Sequence, residues 1–438
     1  MKHSIKSMMF VGAILVGLLM GFTSCDEFFG DADPAPLFPS NVPTEPSSAA
    51  PAATVTTAPT ATTGDIIAGS ATALVTEGVA DGGIMMYAAT TTNTKPTATD
   101  GFDATVPTAA TLAAGTYYVW YYAKADATHS DSEIAGPVTV IVNAAIVDLS
   151  LLTAAYEAQD YDILTGTTTY AISIAAGATL TLSDATINNS VTCLGDANII
   201  LKKETVNKIT SSKTALLVGP AGTTLTIDGE GQLDAETNGY DKCGIGSGYG
   251  GESGNIVING GTINAWGNYG AAIGAADAGG KIGDITINGG KVTAIALSYY
   301  GAGIGSGDSY NGGSTCGNIT ITGGEVTATG GKLAAGIGAG GLSQVYNSTC
   351  GNITITGGTV TATGGSSAAG IGTGNKNDKS TDTKCGNITI SGGTVVATKG
   401  AGATYDVGPG VNGVVGTVSV TVTVKDASDN NATIYTAP

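Results

Sequence analysis

The segment Cys350-Gly351-Asn352-Ile353-Thr354-Ile355-Thr356-Gly357-Gly358-Thr359-Val360-Thr361-Ala362-Thr363 recurs, and this recurrence constrains the fold more than any other property of the chain. Its core returns as Gly254–Ile258, Gly283–Ile287, Gly317–Ile321 and Gly386–Ile390. Each copy reads as an alternating strand, a Gly-Gly corner and a second alternating strand. So short a unit cannot bury its apolar face alone, and the copies must stack.

Weaker copies lengthen the series. Aligned with Ile353, the first apolar residues are Leu180, Ile199, Leu225, Ile256, Ile285, Ile319, Ile388 and Val418, at spacings of 19 to 35 residues. A further element, Gly-Ile-Gly, stands at Gly244–Gly246, Gly303–Gly305, Gly336–Gly338 and Gly370–Gly372, with Ala272-Ile273-Gly274 as a variant. Three short strands per repeat and one coil per repeat describe a parallel β-helix of about nine coils. Period-two alternation points Ile353, Ile355, Val360 and Ala362 inward and Thr354, Thr356, Thr361 and Thr363 outward. Stacked at roughly 4.8 Å, such coils make a rod on the order of 40 Å long.

The chain begins differently. Lys2 and Lys6 precede an apolar run from Met8 to Phe22, closed by Thr23-Ser24-Cys25. That pattern is a secretory signal over residues 1–24, too short to span a membrane comfortably. Cys25 at its end resembles the lipobox of bacterial lipoproteins, although Phe22 replaces the usual leucine-type residue. The resemblance implies lipidation of Cys25 and a membrane partner through that anchor. Asp26, Glu27, Asp31 and Asp33 resemble the export tag of surface lipoproteins in some Gram-negative anaerobes, which implies the outer membrane or cell surface. Residues 25–50 are rich in Pro, Ser and Ala and read as a flexible tether.

From 51 to 145 the spacing of short alternating segments is that of a small β-sandwich. Expected strands are Ala52–Thr57, Ala71–Val75, Ile84–Ala88, Thr116–Ala123 and Pro137–Val142. Residues 115–132, around Tyr117-Tyr118-Val119-Trp120-Tyr121-Tyr122, resemble bacterial Ig-like repeats, which implies an Ig-like β-sandwich. Trp120 reads as a core anchor and His129 as a residue of a polar loop. Residues 146–438 are the expected capped β-helix, with Val147–Tyr156 covering its open first coil. The start Asp160–Gly166, the stretch Cys193–Ile199 and the repeat units resemble, over roughly 150–425, glycine-rich bacterial surface proteins placed among right-handed, pectin-lyase-like β-helices. Those proteins are often labelled carbohydrate-binding. The expected fold is therefore all-β, an Ig-like sandwich followed by a right-handed parallel β-helix.

Composition narrows the partners. The formal net charge is −18 and only 12% of residues are charged. Such an acidic chain lacks the basic face that nucleic acid requires, and it disfavours sulfated or uronic polymers. Cys316, Cys350 and Cys385 each precede Gly-Asn-Ile-Thr-Ile and should stack. Three stacked thiols cannot all pair, so they read either as small apolar filler or as a ladder holding one disulfide. Cys243 reads as interior filler, and no cysteine spacing matches a zinc site. Asp228, Glu230, Asp234 and Glu236 cluster on one coil, either as a solvated turn or as a calcium site. The outward strand positions carry no paired carboxylates of the glycosidase kind, so neither catalysis nor a cofactor is expected.

Aromatic residues rise above the scaffold. Trp266 and Tyr269, then Tyr299 and Tyr300, follow the second strand of adjacent repeats, where later repeats carry Lys332-Leu333 and Ser366-Ser367. Tyr249, Tyr310 and Tyr346 stand in other loops. Exposed aromatic planes beside Asn and Asp suit sugar rings, and the same residues could instead fold down as packing. Two functions stay open: a surface lipoprotein binding a neutral glycan or other cell-surface ligand through the side of the rod, and a structural or adhesive rod presenting loops to a protein partner. A polysaccharide-degrading enzyme is the lesser alternative.

Overall fold

The computed structural model describes residues 50–437 except 309–311, 343–345 and 377–381; the expected signal region, Cys25, the expected tether up to residue 49 and Tyr310 lie outside the described residues. From Pro51 onward the chain forms one compact unit.

Its first part is a sheet of four strands in the order Ile66–Ile67, Ala135–Asn143, Gly115–Ala125, Gly83–Thr90. Gly115–Ala125 is central and antiparallel to both neighbours. Its alternation buries Tyr117 and Val119 with Leu74, Met85 and Tyr87. Trp120 is buried as expected and its Nε1 donates to Thr90 Oγ1 at 3.2 Å. Thr54–Thr57 and Val79–Asp81 pair as a separate ribbon. The expected strand Ala71–Val75 is instead two isolated bridges, Ala73 to Thr108 and Val75 to Ala61. Leu74 and Val75 are buried there all the same. Alternation reported the burial correctly, but the segment's backbone bonds go to the turns at Thr60–Thr62 and Pro107–Ala109 and make no continuous ladder.

Ala144 alone separates this sheet from a stack of parallel strands, which is a right-handed-type parallel β-helix. Its first face carries the Ile-Thr-Ile strands. Ile285, Ile319, Ile353, Ile388 and Val418 stack in register. The second face carries strands such as Glu325–Thr329 and Thr359–Thr363, with Val326 on Val360 and Ala328 on Ala362. These inward residues of both faces are buried up to the last coil, where Val418 and Val420 are half-buried, as are outward Thr354, Thr361 and Thr363.

Four departures from expectation have simple causes. Strands Ala145–Asp148 and Asp162–Thr168 stack ahead of Leu180, so two rungs precede the nine that were expected. The segment Val147–Tyr156 is accordingly part of the coils and not a lid: Leu149 is buried in a 3-10 turn and Tyr156–Ala158 begins the third face. Ile199 pairs with Ile227, and Leu225 with Ala197. A shift by two residues keeps every side chain on its own side, so alternation cannot detect it. Finally, later coils have a fourth short face, made by Lys281–Ile282, Ser314–Cys316, Ser348–Cys350, Thr383–Cys385 and Val414–Val415.

The third face is a ten-stranded stack whose later members are the Gly-Ile-Gly elements. Ile304, Ile337 and Ile371 point inward, and Gly305, Gly338 and Gly372 follow in register. Gly338 has φ +131°, and a Cβ there would lie 1.9 Å from the Gly372 carbonyl oxygen. Only glycine permits both the dihedral and the approach. At the corner before the first face, the Asn of Gly-Asn-Ile has a defined duty. Asn318 Oδ1 accepts the Asn352 N–H at 2.9 Å, and Asn352 Oδ1 accepts the Asn387 N–H at 2.8 Å. The same bond is made by Asp160, Asp196, Asn255, Asp284 and Asn387. Each satisfies a corner donor that the strand ladders leave over.

The last coil is covered by the C-terminal segment, in which Ile434 bridges Val407. Buried Asp406 holds that segment by accepting from the Thr433 N–H at 2.7 Å and from the Lys399 N–H at 2.9 Å.

Candidate functional site

The corner between the second and third faces carries the aromatic residues. Strand Thr262–Gly267 ends its coil's second face, and Asn268-Tyr269 turns toward Ile273. Tyr269 has φ +59°, a left-handed conformation that costs a non-glycine residue about 1 kcal/mol or more. Two bonds hold it there: its N–H donates to Ser298 Oγ at 2.8 Å, and its carbonyl accepts from the Asp308 N–H at 2.9 Å. In the next coil, the Tyr299 and Tyr300 carbonyls accept from the N–H groups of Leu333 and Gly341, both at 2.7 Å. The backbone under the rings is thus stitched to neighbouring coils.

The rings form a continuous series. Tyr240 lies 6.2 Å from Tyr269, Tyr269 lies 6.1 Å from Tyr300, and Tyr300 lies 5.8 Å from Tyr299, all tilted. Tyr240 and Tyr299 are well exposed, at 73% and 47%, while Tyr269 and Tyr300 are half-buried. Lys332 Nζ sits 4.7 Å from the Tyr299 ring centre, a cation–π contact. A shallow cleft of about 470 Å³ runs among Tyr240, Asn268, Tyr269, Ser298, Tyr299 and Lys332. Burial, with Asp308 and the neighbouring tyrosines, raises the Tyr300 pKa, so its hydroxyl remains a proton donor at neutral pH.

Of the four aromatic residues singled out in the sequence, three are brought together. Tyr269, Tyr299 and Tyr300 meet, whereas Trp266 stands on the outward row of the second face between Glu236 and Ile295 and does not line the cleft. Tyr240 joins in its place. Its sequence signal was present, since Gly239-Tyr240 follows the second strand of the preceding repeat as Tyr269 follows that of its own. Tyr249 and Tyr346 are exposed at other loops, and Lys242 Nζ lies 4.0 Å from the Tyr249 ring centre.

Other candidates resolve into local structure. In the acidic group, Glu230 pairs with Lys203 at 3.1 Å and Glu236 with Lys208 at 3.5 Å. Asp234 accepts from Gln232 and Asn264, both at 2.8 Å. Among the described residues no cluster of three His, Cys, Asp or Glu is placed to hold a metal. His129 Nδ1 lies 2.8 Å from Asp126 Oδ1 in its loop, and that contact with two more from Thr128 holds Asp126 down to about 2. Cys316, Cys350 and Cys385 stack in register as buried free thiols, and Cys243 is buried beside Gly274. Burial pushes the Cys193 thiol up to about 12.

The family described as beta helix repeat matches the chain at residues 256–277, 285–308, 319–341, 353–375 and 388–409. Each match opens on the first inward residue of the first face and runs past the third-face strand. No curated protein and no solved structure matches the chain. Repeat matches and stacked strands together make this a parallel β-helix repeat protein.

Proposed function

We propose that the protein is a non-catalytic lipoprotein, anchored through Cys25 at the outer membrane or cell surface, that binds a neutral glycan on the side of its β-helix. In this reading residues 51–145 are a bacterial Ig-like spacer. The observation that carries the reading is the series Tyr240, Tyr269, Tyr300, Tyr299, with rings about 6 Å apart and partly open to solvent. Packing alone does not call for rings left as open as those of Tyr240 and Tyr299. A sugar ring offers an apolar face to such planes, and Asn268, Ser298 and Lys332 stand beside them to bond hydroxyls. The net charge of −18 favours uncharged ligands over anionic ones.

The test is binding of the detergent-purified full chain to immobilised neutral glycans, beside the double variant Tyr269→Ala/Tyr299→Ala. Loss of two aromatic anchors should cost about 2 kcal/mol, or about 30-fold in affinity, with the melting temperature retained. If the wild type binds none, or the variant binds as well, the tyrosines are packing and the adhesive-rod reading replaces this one. Cys25→Ala should move the protein from the detergent phase to the aqueous phase.

A further inference from the structure

The corner that carries the tyrosines changes length along the rod. Between the second-face and third-face strands the chain uses residues 188–190, then 212–215, then 238–244. Longer corners persist afterwards, at 297–303 and 330–336. Where short corners meet the first long one, a step forms. It encloses a groove of about 350 Å³ lined by Asn188, Asn189, Thr210, Ser211, Ser212 and Asn238.

Every one of these residues is a carboxamide or a hydroxyl, and none is charged. Some are already engaged: Asn189 Nδ2 donates to the Thr169 carbonyl at 3.0 Å, and Ser211 Oγ accepts from the Lys213 N–H at 3.0 Å. Others are free. Asn188 and Asn238 are exposed, and among the described residues their side-chain amides have no partner. Thr210 Oγ1 is shielded from solvent and likewise unpartnered among the described residues, which is costly for a hydroxyl. These are groups for bonding a neutral, hydroxyl-rich molecule.

The groove does not stand alone. Asn238 belongs to the same corner as Tyr240, where the tyrosine cleft begins. Polar and aromatic parts therefore adjoin along one edge, from the coil of Asn188 to the coil of Lys332. Six rungs, five steps of roughly 4.8 Å, give a track of roughly 24 Å. A ligand crossing the rod would meet one corner only, whereas a chain lying along it would meet all six. The rung spacing is close to the length of one sugar residue in an extended chain.

We infer that the Asn188–Asn238 groove and the tyrosine cleft are one elongated site, which takes a linear, uncharged polyhydroxylated chain parallel to the rod axis and not a single terminal sugar. This rests on the glycan reading above and adds to it the ligand's shape, direction and second contact region.

Chain-length dependence tests it. Linear gluco- and manno-oligosaccharides, from disaccharide to octasaccharide, are titrated calorimetrically into the full chain and two double variants. In the wild type, affinity should climb with length and level off at about five or six residues. Asn188→Ala/Asn238→Ala changes exposed side chains and should retain the wild-type melt. It should weaken the octasaccharide by about tenfold, two hydrogen bonds' worth, and leave the disaccharide unchanged. Tyr269→Ala/Tyr299→Ala should weaken every length. Affinity independent of length, with the asparagine variant indistinguishable from wild type, overturns the elongated site while the tyrosine cleft stands. No binding at any length overturns both.

Discussion

The early coils, from Asp162 to Thr237, and the later ones, from Asn255 to Gly408, fill the same cross-section in different ways. Early coils use bulk. Leu180, Leu182, Leu201, Ile209 and Leu216 are all buried, and third-face strands such as Ile172–Ile174 contain no glycine. Ala178–Ile187 even rounds a corner as one unbroken strand, bonded to neighbours on two faces. Later coils use proximity. Their third face is a column of glycines in backbone contact, and a fourth short face is added. The difference teaches where specificity can reside. Where each coil copies the last, each offers the same surface, and the tyrosine corner lies at the change from one style to the other.

Changes that break the later coils should be the most damaging. Ile355→Asp buries an unpaired carboxylate in a column with no polar partner and should cost roughly 4 kcal/mol or more. Thr354→Asp, one residue away and outward, should cost about 1 kcal/mol or less. Equal losses in thermal melts would mean the faces are misassigned.

A pair of glycines sharpens the contrast. Gly338→Ala forces a Cβ against the Gly372 carbonyl and should cost about 3 kcal/mol. Gly177→Ala, in an early coil, meets nothing within 4 Å and has only its positive φ of +84° against it, about 1 kcal/mol. Urea titrations of the two variants give the comparison directly. A costlier early glycine would erase the distinction between bulk and proximity.

Asp406 ties the rod's end to its last coil. Burial would raise its pKa, but bonds from Thr433 and Lys399 outweigh that and hold it below the ordinary carboxylate value. A lowered folded pKa contributes stability above the unfolded value of about 3.9, and the contribution is lost as pH falls through the folded pKa. Asp406→Asn should therefore cost about 2 kcal/mol at pH 7 and flatten the acid limb of a stability–pH curve. An unchanged acid limb would place the acid-sensitive contacts elsewhere. The smallest effect is expected at Asn352→Ala, which removes one ladder acceptor at an exposed corner, about 1 kcal/mol.

Much of this architecture could be read from the residues because the later coils repeat it. Ile353, Val360 and Ala362 recur at fixed offsets, and their burial follows from alternation alone. The early coils were harder. Leu225 and Ile227 both satisfy period two, and only the hydrogen-bond register chooses between them for Ile199. The duty of Asn352 was also hidden, since a corner donor is an orphan only once the corner's shape is known. For the site, Tyr269, Tyr299 and Tyr300 stand out as departures from the repeat. Tyr240 does not, because the corner before it is shorter and alternation alone does not fix the register there. Trp266 is close to Tyr269 in sequence, but its strand position turns it onto the flat of the second face.

The asparagine ladder has a direction. From Asp160 to Asn387 its seven side-chain oxygens reach forward and take an N–H of the coil that follows; at Thr179 and Thr224 the amide of the next asparagine also reaches back, to a threonine hydroxyl. A finished coil thus presents its successor with an acceptor already in place, while an isolated later coil presents its predecessor with a bare amide. That polarity leads us to expect growth of the stack from the amino end. A chain that emerges amino-terminus first can be zipped up one turn at a time, each turn cast on the one before it.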